Sequence, residues 1–254
     1  MRLLLTNDDG FGSEGITVLA GRLAREHEVW IVAPDKNRSG VSHCISMTET
    51  IPLVKHGPGE WAYGGTPVDC VIAGLKGGFL PGVPDAVLSG INKGANIGTD
   101  VIYSGTASGA SQAVLYGVPG IALSVDSDDG TWQYDAMADF AAKNLPLLMS
   151  LCNPSERECM PDCPCVYVNV NGLSLPAYKG VEQAGMAFRK YGDSVVYTES
   201  SDTEASLTFK GGAIRSFSRG LSDYEVVRKG CVAVSRIIAE PVSAEIVDGI
   251  EFSL

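Results

Sequence analysis

Arg2-Leu3-Leu4-Leu5-Thr6-Asn7-Asp8-Asp9-Gly10 is the stretch on which the fold turns. The apolar run Leu3-Leu4-Leu5 reads as a short buried strand, and Asn7, Asp8, Asp9 and Gly10 are turn formers that end it. Two adjacent carboxylates at a strand tip repel, so one must take up a proton or a cation must neutralise them. Hard cations such as Mg²⁺ and Mn²⁺ take oxygen ligands of this kind. The same four residues also suit an ordinary turn, so the decision rests on what lies around them.

Working outward, strand and helix signals alternate. Residues 2–6, 28–33, 85–89, 120–125 and 167–170 read as strands. Residues 15–24, 68–75, 106–116 and 131–151 read as helices, with Thr66 as cap and Pro67 at the first position of the second. This β-α-β alternation predicts an α/β fold, a parallel sheet with helices on both faces. Residues 45–50, 52–55 and 60–63 are short, β-rich and broken by Gly and Pro, as in an inserted hairpin. From Ala177 the pattern changes to extended strands at 181–188, 194–199, 205–209 and 231–237, with one helix at 222–228. The expectation is a single unit, residues 1–175 forming the Rossmann-like core and 176–254 a smaller α+β extension used for oligomerisation or for covering the site.

Bulk properties narrow the function. The chain has 254 residues, 45% of them apolar. Its mean hydropathy is +0.11. These values describe a globular protein with a large core. No apolar run approaches the ~18 residues of a membrane span, and no signal peptide is visible, so the expected location is cytoplasmic. A formal charge of −11 and a pI near 4.7 argue against a groove for duplex nucleic acid, which needs a basic stripe. An anionic substrate must then be attracted by a metal or by local amides. Seven cysteines, an odd number, favour thiols over a disulfide framework. Four of them, Cys152, Cys159, Cys163 and Cys165, crowd one segment. It has no CxxC pair and no nearby His, which favours a Pro- and Cys-bearing loop over a zinc or redox site.

In open α/β sheets ligands bind beyond the carboxyl ends of the strands. Asn7, Asp8 and Asp9 follow the first strand, Pro34 to Gly40 the second, and Ser89 to Asn96 the third. That last loop runs on to Tyr103-Ser104-Gly105-Thr106, which opens a helix. One sheet edge therefore collects two carboxylates, hydroxyls and amides, the composition of an all-oxygen divalent site. A helix N-terminus offers free N–H groups and a partial positive charge, which suits a phosphate, although Ser or Thr capping alone accounts for such residues too. Gly10-Phe11-Gly12-Ser13-Glu14-Gly15 matches the GxGxxG pattern, with Asp35 placed like a ribose acid, and offers an NAD-binding alternative. Asp8 and Asp9 would then face a pyrophosphate without a counter-cation, which counts heavily against it. The three histidines form no HxH or HExxH motif, and neither a GxSxG elbow nor a P-loop occurs. His43, near Ser39, reads as a loop histidine rather than a proton shuttle.

Five segments, Thr-Asn-Asp-Asp-Gly at 6–10, Ala-Pro-Asp-Lys-Asn-Arg-Ser-Gly at 33–40, Gly-Gly-Thr-Pro-Val-Asp-Cys-Val at 64–71, Ser-Gly-Ile-Asn-Lys-Gly-Ala-Asn at 89–96 and Tyr-Ser-Gly-Thr at 103–106, together resemble the SurE (stationary-phase survival protein) family of divalent-metal phosphatases. They stand in family order and spacing across roughly residues 1–125, with a weaker echo at 222–235. The resemblance implies a Rossmann-like, SurE-like fold whose C-terminal β-rich extension is exchanged between subunits of a homodimer or homotetramer. It implies hydrolysis of nucleoside 5′-monophosphates, extending in some members to 3′-nucleotides and short polyphosphate. It implies one divalent ion per subunit, Mg²⁺ or Mn²⁺, on Asp8, Asp9, Ser39 and Asn92, with Asp8 or Asp9 orienting water or acting as base. Asn96, Ser104, Gly105 and Thr106 would hold the phosphate. The chain departs from the family at Ala107 and Gln112, where Val and Glu are common, in the run from Val181 to Arg189, and in the cysteine-rich loop. A non-catalytic nucleotide or metal sensor that retains the pocket is the rival reading.

Overall fold

Leu3, Leu4 and Leu5 are all fully buried. In the computed structural model, which describes residues 1–154 and 163–243, they occupy the strand β1 (Arg2–Thr6). Alternate side chains of a strand face opposite sides, and the two sides carry different helices. Leu3 and Leu5 pack against Ile16, Leu19 and Leu23 of α1 (Glu14–Leu23) and Met137 and Ala141 of α4 (Asp135–Leu151). Leu4 packs against Val71 of α2 (Pro67–Lys76) and Ala113 of α3 (Gly105–Leu115). One three-residue run therefore glues both helical layers to the sheet.

The remaining core strands are β2 (Glu28–Pro34), the hairpin β3 (Leu53–Gly57) and β4 (Glu60–Tyr63), β5 (Ala86–Lys93), β6 (Gly120–Asp126) and β7 (Val166–Leu173). The C-terminal part supplies β8 (Val181–Gln183), β9 (Phe188–Tyr191), β10 (Ser194–Glu199), β11 (Ala205–Lys210), β12 (Ile214–Phe217), α5 (Asp223–Arg228) and β13 (Val232–Ile238). The main sheet has nine strands in the order β3-β4-β2-β1-β5-β6-β7-β13-β8. The run β4-β2-β1-β5-β6-β7 is parallel throughout, and β3 and β13 join it antiparallel. The α/β reading thus holds, with helices on both faces and extra antiparallel strands toward the C-terminus. Two of the late strands, β13 and β8, continue the main sheet. The pairs β10–β11 and β9–β12 stand outside it.

Several element boundaries differ from the sequence reading. Residues 45–50, read as β-rich, form no strand; Cys44 and Ser46 are instead tied to the capping residues of α2, Thr66 and Asp69. The strand read as 181–188 splits into β8 and β9, because Gly185 pairs with the residues leading into α5 instead. The long helix begins at Asp135 rather than at 131. Strand 85–89 runs on to Lys93. Its register with β6 shifts after Ser89 and resumes at Asn92↔Ser124. Gly90 takes a φ of 133°, which L side chains rarely adopt and which permits the bulge. Asn92 therefore sits on a strand end rather than in a free loop.

Candidate active site

The turn after β1 is built by Asn7, which is fully buried. Its Nδ2 donates to Gly10 O at 3.0 Å and Ser13 Oγ at 2.7 Å, and its Oδ1 accepts from Gly10 N at 3.2 Å. This is the local turn chemistry of an Asx residue, and it leaves the two following carboxylates pointing elsewhere. The glycine-rich segment has a packing role at Gly15, where a Cβ would lie 1.9 Å from Ile91 O. That close helix–strand approach accounts for a glycine which the GxGxxG pattern assigns to a dinucleotide.

Asp8 is 3% exposed. Its Oδ1 accepts from Thr106 Oγ1 at 2.5 Å, and its backbone carbonyl accepts from Arg38 N at 2.7 Å. The second bond fastens the loop bearing Ser39 to the first strand end. Asp9 Oδ2 accepts from Lys93 N at 3.1 Å, one residue beyond Asn92. Three strand ends are thereby sewn together by bonds to two consecutive aspartates. Burial pushes the Asp8 carboxyl above its ordinary value; the Thr106 hydroxyl opposes this, and the neighbouring charge of Asp9 reinforces it. Burial raises Asp9 as well, against the backbone and charge of Lys93. Among the described residues neither aspartate forms an ion pair. Two adjacent carboxylates without an ion pair suit a bound cation.

Asp8, Ser39, Asn92, Asn96 and Ser104 line one cleft of about 320 Å³. Asp9, Gly105 and Thr106 do not line it but adjoin its wall. Ser104 caps α3, its Oγ accepting from Ala107 N at 2.9 Å, which leaves its hydroxyl proton free for another acceptor. The first-turn amide of Gly105 has no partner within the helix by geometry. A Cβ at Gly105 would stand 2.8 Å from Asp8 Cβ and 3.0 Å from Pro67 Cγ, so glycine lets the helix end approach the aspartate. Thr106 spends its hydroxyl on Asp8. Asn92 Nδ2 donates to Gly94 O at 2.8 Å, leaving its carbonyl oxygen as the donor atom for a cation. Asn96 is clamped from below: its N donates to Asn171 Oδ1 at 2.8 Å, its Nδ2 to Ser124 Oγ at 2.9 Å, and its O accepts from Asn169 Nδ2 at 2.8 Å.

Other polar features lie apart. Among the described residues no group of three or more His, Cys, Asp or Glu assembles. The donor set here is instead two carboxylates plus amide and hydroxyl oxygens, which suits a hard cation rather than zinc. His43 Nε2 lies 2.8 Å from Gln112 Oε1 and does not line the cleft. Burial pushes the Cys152 thiol up to about 11, and Cys163 Sγ accepts from Asn153 Nδ2 at 3.2 Å. Cys159 lies outside the described residues. Among those residues no helix is long and apolar enough to cross a membrane.

Sequence reasoning missed two lining residues, Asp100 and Tyr191, and gave no role to a third, Tyr103, although it stands in the segment 103–106. Asp100 accepts from the Arg189 guanidinium and the Tyr191 hydroxyl, so β9 is bolted to the turn before α3. No local motif announces a contact between residues about ninety positions apart.

Comparison with known proteins gives a consistent result. The family model described as "Survival protein SurE" matches residues 3–193. A Treponema pallidum protein named 5′-nucleotidase SurE is 43% identical over 184 residues, 70% of this chain and 93% of that one. A Haemophilus influenzae protein of the same name is 35% identical over 241 residues, 94% of this chain and 92% of that one. The crystal structure of a SurE protein from Aquifex aeolicus matches with a TM-score of 0.77 at 30% identity, covering 95% of each chain.

Proposed function

The chain belongs to the SurE family, and from that premise we propose that it is a 5′-nucleotidase, removing phosphate from nucleoside 5′-monophosphates with the help of one divalent cation, Mg²⁺ or Mn²⁺. The observation that carries this reading is the adjacent Asp8–Asp9 pair, Asp8 buried and Asp9 half-buried, with no ion-pair partner among the described residues, at a cleft that also presents Ser39, Asn92 and a helix N-terminus. Asp8, Asp9, Ser39 and Asn92 would hold the cation, which supplies counter-charge and Lewis acidity when bound. Asp8 or Asp9 orients the attacking water or takes its proton. The Ser104 hydroxyl and the Gly105 amide meet the phosphate oxygens and stabilise the charge that spreads over them. Asn96 holds the far rim in place, and Thr106 fixes the Asp8 carboxylate. The same open cleft extends the range to 3′-nucleotides and short polyphosphate, whose reacting groups are also terminal phosphates.

Phosphate release from a panel of 5′- and 3′-mononucleotides, with Mn²⁺, with Mg²⁺ and with EDTA, tests the reading. Release is expected only with metal. Second-sphere groups at metal sites are worth 10–100-fold, so Asp8→Asn, which alters a ligand, should lower turnover by at least about 100-fold with unchanged circular dichroism. Metal and nucleotide binding without turnover in the wild type would replace the enzyme by a sensor. Nicotinamide-dependent absorbance without a metal requirement would favour the dinucleotide alternative.

A further inference from the structure

A second cavity, of about 440 Å³, opens beside the first. Tyr103 and Tyr191 line both. Their ring centroids are 6.2 Å apart with planes at 80°, so the pair forms a partition rather than a stack. Beyond it the lining includes Phe209 of β11, Ile214 of β12 and Asp193.

We propose that this aromatic slot takes the nucleobase of the substrate whose phosphate sits in the Asp8 cleft, an inference that rests on the nucleotidase reading. Continuity is the first argument, since a nucleotide must place its base within a sugar's length of its phosphate and the two cavities share a wall. Chemistry is the second. Flat apolar rings and an aliphatic side chain stack with any base face. The only charged group in the lining is a carboxylate, which accepts from base N–H groups and repels phosphate. The orientation follows: anion toward the Asp8 cleft, base toward Asp193. Rigidity is the third. Tyr191 is held by Asp100, and Arg189 N donates to Thr99 Oγ1 at 3.0 Å. Tyr103 O accepts from Ser42 N at 3.1 Å, coupling the slot to the loop of Ser39. Ile214 is the register partner of Tyr191 across β12 and β9. Against this fixed frame Phe209 is 67% and Ile214 47% exposed, apolar surface placed where a ligand can cover it.

Phe209 and Ile214 do not line the Asp8 cleft, so replacing them separates base binding from phosphate chemistry. The measurement is the ratio of kcat/KM for adenosine 5′-monophosphate to that for ribose 5-phosphate, which lacks the base. Phe209→Ala should lower the ratio by about 5- to 150-fold, the span expected for stacking of one base. The change should appear mainly in KM, and Phe209→Trp should restore it. Ile214→Ala should lower the ratio in the same sense and serves if Phe209→Ala fails to fold. A ratio unchanged in both alanine variants overturns the assignment, as does an equal fall for both substrates. If the wild type releases no phosphate from either compound, the nucleotidase reading fails. Binding of adenosine, which carries no phosphate, then decides the slot alone by calorimetry. Weaker binding to Phe209→Ala supports it, and equal binding overturns it.

Discussion

Asp8 is subject to two opposed influences: burial raises its pKa, and the Thr106 hydroxyl at 2.5 Å lowers it. Burial comes first, so the Asp8 carboxyl is held above its ordinary pKa, and a bound cation would pull it back down. The placement of Asp8 depends on Gly105, whose missing side chain is what allows the end of α3 to come within reach. Gly105→Ala should therefore shift Asp8 or Pro67, because the added carbon would lie 3.0 Å or less from atoms of both. We expect turnover to fall by roughly 100-fold, as for loss of a metal site's supporting contact, with metal affinity weakened in parallel in titration calorimetry. Gly21→Ala on α1 is the matched control, since a Cβ there meets nothing within 4 Å. Equal activity in the two variants would refute the positional argument.

At the scale of elements, the candidate site depends on how β9 and the turn at 98–102 are joined to α5. Asp223 makes that joint: it is fully buried and accepts from Gly98 N at 2.7 Å, Ala187 N at 2.8 Å and Tyr224 N at 2.8 Å. Burial nonetheless outweighs these donors and the charge of Arg189, and raises its pKa above the ordinary 3.8. A carboxyl whose pKa is raised on folding adds stability that is complete below the unfolded value and is lost as pH climbs through the folded one. Relative to Asp223→Asn, the wild type should therefore lose melting temperature as pH rises from about 4 toward neutrality. A difference between the two proteins that stays constant across that window, measured by differential scanning calorimetry, would contradict the assignment. The capping box of Ser222 and Glu225 beside it explains why so short a helix as α5 forms at all.

For the whole molecule, the hairpin β10–β11 leaves Val195, Tyr197 and Leu207 exposed, outside the lining of either cavity. A contiguous apolar ribbon of that kind on a chain of charge −11 calls for a partner surface, and a homodimer or homotetramer built through this extension is the assembly we propose. Light scattering should give a multiple of 26.7 kDa for the wild type and the monomer for a Val195→Lys, Leu207→Lys variant. An assembly that survives both charges would place the interface elsewhere. Much of this molecule was legible one residue at a time. The short apolar runs dictate strands because each alternates with an amphipathic helix, and the turn formers after Leu5 stop the first strand at two carboxylates. Asp8, Asp9, Ser39 and Asn92, the proposed cation ligands, lie in segments whose resemblance to a family is legible without the fold. What only the tertiary structure decided is which donors converge. Thr106 reaches Asp8 across 98 positions, Asn92 sits on a bulged strand rather than in a loop, and Tyr191 crosses to Asp100 to wall a second cavity. Local propensity is a property of neighbours in the chain, whereas these contacts are set by how buried surfaces pack, and no stretch of sequence carries that information alone.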